Sequence, residues 1–165
     1  MMKFSQLKKP WFEYWFAAHV CVRLCRVSIL LRFRTLPELL EQLAPREGHR
    51  DRKTHPTLDR AVQIIVRVCY LRLFRGRLFP RTCLRQALTL YDMLTYLGYA
   101  VTIYFGILKI GEQLRGHSWV TVEGASIAEN GDSGASHRVV YSYPSSQPGS
   151  AQDVTEMFGP SAKSF

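Results

Sequence analysis

The chain has 165 residues, 47% of them apolar, with four cysteines and a formal net charge of +9. It is long enough to bury a core of its own and too apolar for a disordered tail. So few cysteines over such a length do not make a secreted disulfide scaffold, and with no export signal in view a reducing cytoplasm is the expected setting.

The charge is unevenly spread. Residues 1–85 carry 18 Lys/Arg against 6 Asp/Glu, whereas residues 86–165 carry 4 against 7. A basic half of this kind suits an anionic membrane, an acidic peptide or nucleic acid, or is simply a solvated helical surface.

In chain order, residues 11–33 read as a helix. The segment is apolar, but Glu13, His19, Arg23 and Arg26 interrupt it. A spanning helix needs about 20 mostly uncharged residues, which leaves a core helix or an interfacial one with a Trp/Phe face and Arg flanks. The pattern favours the core reading. Leu36–Leu43 forms a second short helix with Pro37 in its first turn. Residues 45–56, polar and bracketed by prolines, form a loop. Residues 58–74 read as a buried helix whose polar positions Arg60, Gln63, Arg67 and Tyr70 recur at helical spacing.

The next helix is the best marked. Thr82 is its N-cap, Leu84, Ala87, Leu88, Tyr91 and Leu94 form its apolar stripe, and Gly98 ends it. Strands follow, at residues 99–108, 114–122, 126–129 and 138–143. The expected fold is therefore α+β: one domain over residues 1–143, with a helical half (1–75) and a helix-plus-strands half (76–143). A disordered tail is expected over 144–165.

Chemistry concentrates at two places. Cys83 opens a helix, where free N–H groups and the helix dipole favour a thiolate and could hold an oxyanion. His117 lies on a strand, two positions before Trp119. A cysteine and a histidine remote in sequence, on elements that can pack together, are what a thiol nucleophile and its base require. Cys69 lies mid-helix among apolar residues and is expected to be inert. Cys21, Cys25 and His19 crowd one helix without the spacing of a zinc site, so neither metal nor organic cofactor is expected.

A third group should hold the imidazole in the useful tautomer. A three-residue loop at residues 122–124, with Gly124 left-handed, places Glu129 opposite His117. A two-residue loop at Glu123-Gly124 instead places Asn130 there, and Asp132 ranks behind both.

The runs Arg81-Thr82-Cys83-Leu84, Ala87-Leu88, Gly98-Tyr99-Ala100-Val101 and Gly116-His117-Ser118-Trp119-Val120, followed by Gly124, resemble the bacterial transglutaminase-like (papain-like) fold. Within it they are most similar to the lasso peptide biosynthesis B2 proteins. That resemblance implies a cysteine peptidase that removes the leader from a ribosomally made precursor. Cys83 then matches the nucleophile, His117 the base and Glu129 the acidic third member, with Ser118 where the family usually has Ala. It also implies a separate PqqD-like leader-recognition protein and an asparagine-synthetase-like cyclase that takes the freed core peptide. Two other readings stand beside it: amide or acyl transfer on the same scaffold, and a non-catalytic basic helical protein. No nucleic-acid motif supports nucleic-acid binding; the basic N-terminal helix leaves contact with a membrane surface open.

Overall fold

The computed structural model describes residues 9–44, 56–71, 82–110, 113–127 and 138–144. Within them the chain forms α1 (Lys9–Phe33), α2 (Leu36–Leu43), α3 (Leu58–Cys69), α4 (Cys83–Tyr96), β1 (Val101–Ile110), β2 (Gln113–Val122), β3 (Ala125–Ile127) and β4 (Arg138–Tyr143). The α+β expectation holds. The four strands make one antiparallel sheet in the order β3-β2-β1-β4. The 144–165 tail lies outside the described residues beyond Pro144.

α4 is the centre of the molecule, packed between the helices α1 and α3 and the sheet strands β1 and β2. Ala87, Leu88, Leu90, Tyr91, Met93 and Leu94 are all buried, so the expected stripe widens to most of the helix surface. α1 contributes Phe16, Val20, Leu24 and Val27 to the same core. These four recur at spacings of three and four, so one face of α1 is a core face as the sequence predicts.

Two ion pairs tie α1 to its neighbours. Arg60 of α3 forks onto Glu13 at 2.7 and 3.0 Å. Arg23 reaches the buried Asp92 of α4 at 2.8 Å and lies 4.5 Å above the Tyr96 ring. Burial raises the Asp92 carboxyl above its ordinary range, with Arg23 opposing the shift. Removing Arg23 would leave that carboxylate without its cation.

α3 stops earlier than its periodicity suggests. The Tyr70 N–H is shared between the Val66 and Arg67 carbonyls, and the Leu71 N–H donates to Val68, so the last turn tightens to three-residue spacing. No glycine, proline or capping side chain stands at Cys69–Tyr70 to announce the stop. β1 also begins and ends two residues later than expected, because the left-handed Gly98 (φ 84°) is followed by a short connector before pairing starts.

Candidate active site

Cys83 is the first residue of α4. Thr82, in extended conformation, caps the helix: its hydroxyl accepts from the Arg85 N–H at 3.2 Å. The Gln86 N–H is the next to be satisfied, donating to the Thr82 carbonyl. The N–H groups of Cys83 and Leu84 precede the first intrahelical bond, as the first turn of any helix requires. Cys83 is exposed, yet it heads a row formed by the buried Ala87, Leu90 and Leu94. The thiol thus stands at the open end of a rigid, deeply packed helix.

The other cysteines are differently placed. Cys69 is buried, and burial pushes its thiol up to about 11. Cys21 and Cys25 are half-buried, and burial raises Cys21 as well. Among the described residues no group of three His, Cys, Asp or Glu side chains is arranged to hold a metal ion.

His117 pairs with Gly106 in the β1–β2 ladder. Its ring stacks on Trp119 (centroids 6.0 Å apart, planes at 17°), and Trp119 stacks on Tyr104 at 5.6 Å and 12°. These three rings form a ladder on one face of the sheet. Alternation sends the intervening Ser118, Val120 and Val122 to the other face, where all three are buried. That second face carries α4, as the contact between Tyr91 and Tyr143, the partner of Ile103, demonstrates. His117 therefore emerges from the sheet face opposite α4.

The Tyr91 ring meets Tyr143, the partner of Ile103, and Gly106, three residues beyond Ile103, is the partner of His117. Gly116 lies on the α4 side, and a Cβ there would meet nothing within 4 Å among the described residues.

The β2–β3 turn corrects the sequence expectation. Val122 pairs with Ala125 and Val120 with Ile127, so the loop has two residues, not three. Glu123 (φ 52°) and Gly124 (φ 85°) both take left-handed conformations, the requirement of a primed hairpin turn. The register that sets Glu129 against His117 belongs to the three-residue loop and is absent. Glu129, Asn130 and Asp132 themselves lie outside the described residues, and β3 is described only to Ile127.

A family model described as the transglutaminase-like superfamily matches residues 21–142, a span that begins within α1, ends within β4 and includes both Cys83 and His117. The chain belongs to the transglutaminase-like superfamily. No curated protein and no solved structure matches it. The superfamily typically includes cysteine peptidases and acyl transferases, and a cysteine opening a buried helix against an antiparallel sheet is compatible with both. Sequence reading found the thiol, the imidazole and their elements. It weighed a three-residue against a two-residue turn and put the longer one first, because Glu-Gly is not one of the usual hairpin pairs. It also left unassigned the face from which the imidazole emerges, which depends on where α4 docks.

Proposed function

We propose that this transglutaminase-like protein is a cysteine peptidase that removes the leader from a ribosomally synthesised lasso peptide precursor. The observation that carries the reading is the exposed Cys83 at the first position of a capped, buried helix, in a transglutaminase-like domain whose matched span also includes His117. The motif resemblance around both residues supplies the substrate class. The Cys83 thiolate attacks the scissile carbonyl carbon, and the oxyanion is held by the N–H groups of the first helical turn. The C–N bond breaks, and the core-side amine leaves with a proton from His117. Water deprotonated by His117 then hydrolyses the leader thioester and regenerates the thiol. Because His117 emerges from the sheet face opposite α4, this mechanism requires the imidazole to reach the sulfur past the sheet end at Gly116.

For the residue that orients the imidazole, the two-residue turn supports Asn130 over Glu129. An Asn side-chain carbonyl can accept the His Nδ1–H as a carboxylate does, without adding charge. The precursor is presented by a separate PqqD-like protein, and the freed core passes to an asparagine-synthetase-like cyclase. The deciding experiment incubates the protein with a precursor and its leader-recognition protein. Wild type should release an intact leader, and Cys83→Ala should release none while keeping its fold. Cleavage by the alanine variant would refute the nucleophile. Adding an excess of primary amine and weighing the leader product separates hydrolysis from acyl transfer.

A further inference from the structure

α1 has two apolar faces, and among the described residues only one is covered by the protein. Opposite the core row lies a second row: Trp11 (81% exposed), Trp15 (59%), Val22 (66%), Ile29 (55%) and Phe33 (78%). Steps of four and seven residues keep these side chains within a narrow sector of the helix, with the exposed Ala18 and Arg26 completing the line. Tyr14, 74% exposed, flanks the first turn of the row. The row extends about 33 Å along the axis. Soluble proteins seldom present so long an apolar line to water.

We infer that this face of α1 docks on an anionic lipid surface, with the helix lying in the membrane plane. Three observations select that occupant. First, the charge has the right sign: Arg26 within the row and Arg32 and Arg34 at its C-terminal end are exposed, whereas the one acid of α1, Glu13, is engaged by Arg60. Basic side chains beside an apolar face are the signature of binding to acidic headgroups. The same charge opposes a second copy, since it would bring two basic halves together. Second, the row holds Trp11 and Trp15 and is flanked by Tyr14, and Trp and Tyr favour the boundary between headgroups and acyl chains. Third, no helix among the described residues is long and apolar enough to cross a membrane, and the opposite face of α1 is already packed against the protein core. The helix can therefore lie on a bilayer while the rest of the domain stays in water. This inference is independent of the peptidase reading and survives its failure.

The test is flotation of the full chain with unilamellar vesicles of phosphatidylcholine alone or doped with phosphatidylglycerol, at low and high salt. Wild type should float with the anionic vesicles at least tenfold more strongly than with neutral ones, and salt should release it. Its Trp emission should shift to the blue on binding. The double variant Trp11→Ser/Trp15→Ser should lose about tenfold in partitioning and most of the emission shift, with its melting temperature kept because both rings are exposed. Arg26→Gln/Arg32→Gln should lose a comparable factor on anionic vesicles only. Wild type that stays in the soluble fraction with anionic vesicles at low salt would overturn the inference. So would a Trp variant that floats like wild type. A concentration-dependent dimer or a partner protein that protects the same row in the absence of lipid would reassign the surface to that occupant.

Discussion

Tyr91 of α4 meets Tyr143 of β4 edge to face, with ring centroids 6.1 Å apart and planes at 70°. Tyr91 is 1% exposed and Tyr143 pairs with Ile103 in the sheet. This contact joins the middle of α4, whose first residue is Cys83, to the sheet that carries His117.

Truncating that ring should loosen helix and sheet together. Tyr91→Ala removes a fully buried aromatic side chain, for which a loss of about 3–5 kcal/mol is typical. Urea unfolding should show a loss of that size, whereas Tyr91→Phe should stay within about 1.5 kcal/mol. A Tyr91→Ala protein as stable as wild type would mean that the contact does not fix the docking.

The four thiols should separate by accessibility. Brief treatment with iodoacetamide should label the exposed Cys83 first and the buried Cys69 last, as read by peptide mass mapping. The folded Cys69 thiol keeps its proton up to about 11, against an ordinary value of 9.0. The unfolded chain therefore ionises first as pH rises, and the stabilisation is intact below pH 9 and lost towards 11. Cys21 is shifted the same way. Unfolding free energy should fall across that interval, and Cys69→Ala should flatten part of the slope.

Glu123 adopts φ 52° in a turn that favours Asn. Glu123→Asn should therefore stabilise the hairpin by about 0.5–1 kcal/mol, by relieving a left-handed glutamate. The same turn bears on the third catalytic position. Asn130→Ala should slow leader cleavage far more than Glu129→Gln does; the reverse order would return the role to Glu129.

Ser118 is 6% exposed, and its hydroxyl has no hydrogen-bond partner among the described residues. Ser118→Ala, which restores the residue usual in the resembling family, should stabilise the fold by about 1 kcal/mol through removal of an unpaired buried hydroxyl.

Open space at Gly116 makes a contrasting prediction. Gly116→Val should fold normally, because a Cβ meets nothing there among the described residues, yet the proposed approach of His117 to Cys83 past this position predicts at least a tenfold loss of peptidase activity. Full activity in that variant would show that the two groups do not meet around this end of the sheet.

Much of the architecture is legible from local patterns. The Thr82 cap, the α4 stripe, the Gly98 stop and the alternation in β1 and β2 all act over a few residues. Local propensity and periodicity are sufficient to fix such features. The end of α3 is not legible, because the tightened turn at Tyr70 has no marker residue. The β2–β3 register turns on one loop residue, and Glu-Gly gives a weak signal between two lengths.

The sequence by itself determined an α+β chain with a cysteine on a helix N-terminus, a histidine on a strand and a basic, aromatic first helix. Tertiary structure alone decided that, among the described residues, α1 covers the core with one face and leaves the other bare, and that His117 emerges from the sheet face opposite α4. The physical reason is common to both. Periodicity within an element says which residues share a face, but only packing against its neighbours determines which way that face points.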